Sequence, residues 1–457
     1  MSEFEQYLKP GEVGHLVGIG GVSMSPLAEV LAGMGLCIRG SDLSESEKTL
    51  ALREKGIAVS IGHDGANLAP NTRFVVRTAA VRDDNPEIVE AHRRGLPVFE
   101  RTEAWGAIMR GYDNALCISG THGKTTTTSM CTHILMAAER DPSVMIGGTL
   151  PLLHAGHRVG KGNVIVMESC EYCNSFLRFS PTIAVILNID ADHLDFFKDI
   201  EDVKTSFRRF AELVPENGFV VANADDKNTM DTLAGLNRRI VTFGFTPTAD
   251  VWASGVSRMG ASTEFDIMHG KRLFTHVSLR VPGLHNVKNA LAATAAAICL
   301  GTSPNAVKYG LAGFTGAGRR FEFKGKFNGA DVYDDYAHHP SELKAVLDAA
   351  EPLGYNRLLV VFQPHTYSRT KALFADFVQQ LRRPTITYLA EIYAARETNT
   401  IGISSKDLAD QIEGARFFPS FGGLLENLRQ EARPGDLILT VGAGDVYRIG
   451  ESLVSGA

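Results

Sequence analysis

The 457-residue chain has no apolar run approaching the ~20 residues that span a bilayer. The longest such stretch, residues 290–300, is short and alanine-rich and reads as a buried helix, so no membrane insertion is expected. The first ten residues, MSEFEQYLKP, show neither a basic n-region nor an apolar h-region, so no secretory signal is expected. Cysteine is sparse: Cys37, Cys117, Cys131, Cys170, Cys173 and Cys299 are scattered, mostly in apolar segments. That argues against a disulfide framework and for a reduced, cytoplasmic setting. An excess of positive charge is also missing, with 46 Lys plus Arg against 52 Asp plus Glu and a net charge of −6. A general nucleic-acid binder is thereby disfavoured, while local basic pockets for phosphate are not. No fixed-period repeat and no low-complexity tract interrupts the chain.

What is present is an alternation. Short apolar runs at 15–19, 74–77, 115–119, 164–167, 183–187, 358–362, 385–389 and 437–441 read as buried strands, with amphipathic helical patterns between many of them. This βαβ order implies parallel sheets flanked by helices. Residues 240–285 differ: strand-like pieces at 239–243, 262–268 and 274–279, with turn signals at Thr246-Pro247 and His269-Gly270, read as an antiparallel insertion or edge. The length suits about three domains at ~100–200 residues each. Polar, glycine-bearing breaks at 110–114 and 315–320 divide it into 1–111, 112–315 and 316–457. The glycines at 315–318 are a plausible hinge for domain closure.

The strongest local signal is Gly120-Thr121-His122-Gly123-Lys124-Thr125-Thr126, which follows a strand and opens a helix. Glycines let backbone N–H groups face an anion, the helix N-terminus adds its dipole, and a lysine reaches terminal phosphates. Thr125 stands where a hydroxyl would ligate Mg²⁺. The spacing is shorter than the general phosphate-loop pattern, with Ile118 where the longer form has glycine. Metal ligands should lie at neighbouring strand ends. Glu168 ends one strand, and Asn188-Ile189-Asp190-Ala191-Asp192-His193-Leu194-Asp195 follows another. Cys170-Glu171-Tyr172-Cys173 has CxxC spacing but no second pair, so two unconnected thiols are expected. Near the N-terminus, Gly18-Ile19-Gly20-Gly21-Val22-Ser23 with Asp42 downstream nearly matches a dinucleotide fingerprint, Ser23 replacing the third glycine.

These segments, taken in order, resemble the Mur ligase family of peptidoglycan synthesis over essentially the whole chain, and most closely its branch that joins L-alanine to UDP-N-acetylmuramate. The residues that carry the resemblance are HLVGIGGVSMS at 15–25, Gly40-Ser41-Asp42, GTHGKTTT at 120–127, NIDADHLD at 188–195, PGLHNVKNALAA at 282–293, DDYAHHPSE at 334–342, FQPHTYSRT at 362–370, YAARE at 393–397 and VGAGD at 441–445.

The resemblance implies an α/β protein of three domains: an N-terminal Rossmann-like domain for the UDP-sugar, a central P-loop ATPase-type parallel sheet with a small antiparallel part, and a C-terminal Rossmann-like domain that closes over the site. It implies an ATP-dependent, amide-forming ligase that uses Mg²⁺, or Mn²⁺ in its place, and acts as a monomer or weak homodimer. Gly18, Gly20, Gly21, Ser41, Asp42, His63 and Arg101 would contact the UDP-sugar, with Thr78-Ala79-Ala80 nearby. Gly120, Thr121, His122, Gly123, Lys124, Thr125, Thr126, His285, Asn286, Asn289 and Arg320 would bind ATP. Thr125, Glu168 and His193 would hold metal, while Lys124, Glu168, His193, His338 and Arg369 carry the chemistry. Tyr336, His365 and Arg369 would bind the amino acid, with Asp335 and His339 close by. Lys204 is a weak counterpart of the carbamylated lysine that several related ligases use. The rival readings are a ligase that attaches a recycled murein tripeptide to the same sugar, a P-loop kinase of small acids, and a non-catalytic nucleotide-binding regulator.

Overall fold

The computed structural model describes residues 3–78, 80–194, 196–259, 262–395 and 397–456. Ala79, Asp195 and Arg396, each within a segment singled out above, lie outside the described residues. Three sheets are laid down one after another along the chain. The first contains β1 (Val13–Val17), β2 (Cys37–Asp42), β3 (Ala58–Ile61), β4 (Phe74–Arg77) and β5 (Val98–Glu100). All pairs are parallel and the order is β3-β2-β1-β4-β5. Strand order reverses between β1 and β4, which opens a crevice at their carboxyl ends, and the glycine turn at 18–21 leaves β1 there.

The second sheet has ten strands: β6 (Asn114–Ser119), β7 (Ser143–Leu150), β8 (Ala155–Arg158), β9 (Val164–Glu168), β10 (Ile183–Ile186), β11 (Phe219–Asn223), β12 (Arg239–Gly244), β13 (Val251–Met259), β14 (Ser262–His269) and β15 (Arg272–Leu279). Their order is β15-β14-β13-β12-β11-β10-β6-β9-β7-β8. The strand read at 239–243 is not part of the antiparallel insertion. β12 pairs parallel with β11 over five residues and parallel with β13 at Phe243↔Val251 and Gly244↔Trp252. Its apolar pattern carries no information on direction; the helix Lys227–Leu233 between β11 and β12 supplies the crossover that makes the pair parallel. The antiparallel part is β13-β14-β15, and β13 escaped the sequence reading because Gly255 and a bulge between Ser254 and Ser257 break its alternation. The β7–β8 hairpin on the opposite edge was not anticipated either.

The third sheet runs β16 (Glu322–Phe327), β17 (Ala330–Asp335), β21 (Asp436–Val441), β18 (Arg357–Phe362), β19 (Ile386–Ala390) and β20 (Arg416–Phe418). It is parallel apart from the hairpin β16–β17 at one edge.

Burial distinguishes the junctions between sheets. One apolar cluster runs from Leu16, Phe74 and Val76 through Trp105 and Ile108 to Ala115, Cys117, Ala184 and Ile186, and so joins the first sheet to the second. The third sheet instead covers its two faces with its own side chains. Val360, Phe362 and Leu439 lie on one face, and Leu359, Val361 and Ile438 on the other, alternating as the pleat requires. Among the described residues, no helix is long and apolar enough to cross a membrane.

Candidate active site

The site begins where β6 ends. Gly120 has φ +137°, and a Cβ there would come within 2.8 Å of the Leu187 Cβ. Gly123 has φ +86°, and a Cβ there would meet the Asn289 Oδ1 at 2.6 Å. Both positions therefore need glycine. The helix Lys124–Ala137 that follows contains the poor helix formers Thr125 to Thr128, Ser129 and Thr132, nearly all buried. Back-bonding satisfies several of them: Thr128 Oγ1 donates to the Lys124 carbonyl, Ser129 Oγ to Thr125 and Thr132 Oγ1 to Thr128, each at 2.8 Å. Asn188 braces the loop, accepting from the Thr121 N–H (3.1 Å) and, through Oδ1, from the His122 N–H (2.8 Å). Those two amides are thereby spent. The first-turn N–H groups of Lys124, Thr125 and Thr126, which have no intrahelical partner, face the loop's concavity as an anion site.

The Lys124 ammonium folds back onto its own loop, donating to the carbonyls of Gly120 (2.6 Å) and Thr121 (3.1 Å), and pairs with Glu171 at 3.1 Å. Burial alone would lower its pKa, but the neighbouring carboxylates, Glu171 foremost and Glu168 with it, together raise it. Thr125 Oγ1 donates to Glu168 Oε1 (3.0 Å), whose Oε2 accepts from the Gly147 N–H (2.7 Å). A hydroxyl and a carboxylate side by side at a phosphate loop form an oxygen donor set that fits Mg²⁺. His193 lies beyond them, its Nε2 4.0 Å from Glu171 Oε1 and 3.8 Å from Asp192 Oδ2. Glu171, absent from the residues selected by sequence, thus links Lys124 to His193. Its signal was the second carboxylate of the Glu168–Asn174 segment. Cys170 and Cys173 are both free thiols, as expected. Lys204 pairs with Glu201 at the surface (2.8 Å).

The C-terminal part meets this centre through polar contacts. Arg369 donates to Asp192 Oδ1 from Nη2 (2.8 Å) and Nε (3.1 Å), and His365 Nδ1 lies 3.3 Å from Arg369 Nη1. Burial would raise the Asp192 pKa, but Arg369 holds it well below the usual carboxylate range. Ser341 Oγ donates to Asp190 Oδ2 (2.9 Å). His122 lies between two carboxylates, with Nδ1 3.2 Å from Glu342 and Nε2 3.5 Å from Asp190, neither in hydrogen-bond geometry. Burial would lower the His122 pKa; the two carboxylates push it up to about 9. Burial dominates at His338 and His365 and brings both down to about 4. Tyr336 packs against the guanidinium groups of Arg319 and Arg320. Arg319 is structural, holding Asp334 (2.9 Å) and the Gly442 and Gly444 carbonyls.

Two cavities flank the loop. The larger, about 520 Å³, is lined by Gly123, His285, Asn286, Asn289, Lys288 and Arg320, with Phe243 and Phe245 as an apolar wall. The smaller, about 370 Å³, is lined by Tyr172, Asp192, His193, His365, Arg369 and Glu397. Tyr336, expected beside the amino acid, does not line it; Tyr172 does.

At the first sheet's crevice the Gly20 N–H donates to Asp42 Oδ2 (2.8 Å). Glu87, wholly buried and not foreseen, accepts from Ser41 Oγ and Asn67 Nδ2, both at 2.5 Å, and has His63 Nδ1 at 3.4 Å and His15 Nε2 at 3.5 Å. It therefore organises Ser41 and His63, and nothing in its local pattern PEIVEAHR marks it. Arg101 opens the helix Arg101–Met109, and burial lowers its pKa.

The chain matches three family models: "Mur ligase family, catalytic domain" over residues 14–113, "Mur ligase middle domain" over 118–297 and "Mur ligase, glutamate ligase domain" over 319–444. It is 46% identical over 443 residues to a UDP-N-acetylmuramate–L-alanine ligase of Acetivibrio thermocellus, covering 96% of this chain and 94% of that one. A solved UDP-N-acetylmuramate–alanine ligase of Thermotoga maritima superposes with a TM-score of 0.80 at 29% identity, over 97% of this chain and 98% of that one. A MurF ligase of Thermotoga maritima in complex with ADP shares the fold, with a TM-score of 0.65 at 16% identity over 92% and 96% of the two chains.

Proposed function

The chain belongs to the Mur ligase family, and we propose that it joins L-alanine to the lactyl carboxylate of UDP-N-acetylmuramate in peptidoglycan synthesis, converting ATP to ADP and phosphate. A carboxylate does not react with an amine near neutral pH. Transfer of the γ-phosphoryl group to the sugar's carboxylate gives an acyl phosphate; the alanine nitrogen then attacks that carbon, loses a proton, and phosphate leaves. Negative charge grows on oxygen in both steps, so prepositioned cations and N–H donors lower both barriers.

The roles follow the placement of each group. Lys124 leaves its loop carbonyls and Glu171 to pair with the terminal phosphates, and the first-turn amides of 124–126 hold the phosphate oxygens. His285, Asn286, Asn289 and Arg320 receive the nucleoside end in the larger cavity. Arg369 binds the alanine carboxylate in a two-pronged way, drawing on the charge it now shares with Asp192. The crevice around Gly18, Gly20, Gly21, Ser41 and Asp42, with His63 set by Glu87, takes the UDP-sugar, and Arg101 contributes positive charge to its binding. Thr125 and Glu168 would hold Mg²⁺, or Mn²⁺ in its place, with His193 available to a second ion; the metal supplies neutralisation of the phosphate charge. The division of labour is 1–111 for the sugar, 112–315 for ATP and 316–457 for the amino acid.

The observation that carries this reading is the chain of neighbouring polar side chains, Lys124–Glu171–His193–Asp192–Arg369, from the phosphate loop to the smaller cavity. The test is turnover with ATP, Mg²⁺ and UDP-N-acetylmuramate, offering L-alanine, glycine, L-serine or the murein tripeptide, with phosphate and product mass as readouts. A heavier UDP-sugar with L-alanine is expected. Phosphate release without one would overturn the ligase assignment in favour of a kinase, and product with the tripeptide alone would move it to the recycling reaction.

A further inference from the structure

We propose that His122, Asp190 and His339 form a transition-metal site that bridges the phosphate loop and the C-terminal sheet, separate from the Thr125–Glu168 pair. The three side chains come from different places. His122 is on the loop after β6, Asp190 follows β10, and His339 is the N-cap of the helix Pro340–Ala350. Each offers one donor atom, and these atoms all lie within 4.8 Å of one another. The imidazole rings of His122 and His339 lie with centroids 4.9 Å apart, their planes tilted by 41°.

The second observation is polar accessibility without partners. His339 is only 4% exposed, and its Nε2 is buried with no hydrogen-bond partner. Both nitrogens of His122 are likewise buried outside hydrogen-bond geometry. An unpaired buried nitrogen is costly, and His339 Nε2, turned towards an imidazole that already faces the Asp190 carboxylate, points to a ligand.

The surrounding shell has the form that metal-bound histidines require. A ligating imidazole usually donates its other N–H to a carboxylate, which fixes ring and tautomer. His122 has Glu342 Oε1 3.2 Å from Nδ1, leaving Nε2 towards Asp190 Oδ2 at 3.5 Å. Asp190 is itself held, accepting from Ser341 Oγ at 2.9 Å and from the Ala191 N–H at 2.8 Å. Two imidazoles and one carboxylate suit Zn²⁺ and neighbouring divalent ions and are a poor set for Mg²⁺. Zn–N and Zn–O bonds of ~2.0–2.2 Å put tetrahedral donors roughly 3.3–3.5 Å apart, so a pair at the 4.8 Å limit must close by about 1.5 Å. Metal at His339 Nε2 places the ring proton on Nδ1, which gives up the 3.3 Å contact from the Ser341 N–H, a long bond. Three protein ligands leave a fourth position for water or an anion. An ion here ties the loop that must receive phosphate to the helix that closes over it, and so opposes nucleotide entry.

The test uses the metal alone and does not depend on the ligase reading. ZnCl₂ is titrated into the full chain without nucleotide, against a chromogenic zinc chelator, in a Cys37→Ser/Cys170→Ser/Cys173→Ser background that removes the exposed thiols. One equivalent of Zn²⁺ should be withdrawn from the chelator, with an X-ray absorption spectrum showing nitrogen and oxygen and no sulfur. His339→Ala and Asp190→Asn should each weaken binding at least about tenfold, as should Glu342→Gln. His339→Cys should retain zinc and add one sulfur, which separates loss of a ligand from loss of fold. Equal affinity in His339→Ala, sulfur in the parent spectrum, or no binding would each overturn the proposal.

Discussion

Replacing Lys124 by Met tests the central electrostatic contact without altering the length of the side chain much. Lys124 is 13% exposed and Glu171 2%, and their charges are 3.1 Å apart. At an effective dielectric constant of ~20, the Coulomb attraction at that distance is about 5 kcal/mol. Desolvation offsets part of it in the intact pair. Removing one partner, however, strands the other buried charge, at a cost of about 3–5 kcal/mol. Lys124→Met should therefore lower the melting temperature of the central unit by about 6–20 °C, at ~2–4 °C per kcal/mol for a unit of this size. Lys124→Met/Glu171→Gln, which removes both charges, should recover most of that loss. Circular dichroism or calorimetric melts of the four members of the cycle give the coupling, expected at 2 kcal/mol or more. Both Lys124 variants should lose turnover while UDP-sugar binding, measured by titration, persists. A Lys124→Met melt within about 2 °C of the parent, with no recovery in the double variant, would refute the claim that this pair is a stabilising buried contact.

The remaining expectations are shorter. His122 has a folded pKa of about 9 against an ordinary 6.5, so its stabilising contribution is complete below about pH 6.5 and is lost as pH rises through about 9; the stability gap between parent and His122→Gln should shrink over that interval, and an NMR titration of the ring should place the midpoint near 9. Arg369→Lys keeps the charge but not the fork that spans Asp192 and a carboxylate, so KM for L-alanine should rise about tenfold or more with KM for ATP nearly unchanged, read from initial rates. Gly123→Ala adds a left-handed strain of roughly 1–2 kcal/mol and a Cβ 2.6 Å from the Asn289 Oδ1, so ATP affinity measured by calorimetry should fall about tenfold or more.

How much of this was legible beforehand varied with the kind of information involved. The buried strands read well because apolar runs such as LLVVF before Gln363 and AVI before Leu187 fill both faces of a parallel sheet. Edge strands read poorly. β8 and β16 are half-exposed or bulged and are ordered by a neighbour rather than by their own pattern, and the interior strand β13 is broken by Gly255 and a bulge. The phosphate loop was legible because its spacing is local. Glu87 and Asn188 were not, because each acts on residues dozens of positions away: Glu87 on Ser41, and Asn188 on the loop at 121–122. Glu171 and Asp192 stood in plain view beside selected residues, and only the fold showed that Asp192 answers Arg369 across 177 positions.

The molecule's two seams are made of different stuff. The first is sealed by greasy side chains such as Trp105 and Ile108, insensitive to salt, and it joins the first two sheets into one bench. The second has ionic rivets at Asp192–Arg369 and His122–Glu342 and a hydroxyl tie at Asp190–Ser341. Contacts of that sort weaken when charge is rearranged beside them. On the proposed function, a nucleotide arriving with several negative charges would therefore act on the very groups that tie the third sheet to the bench, so that loading the bench and loosening that tie become one electrostatic event.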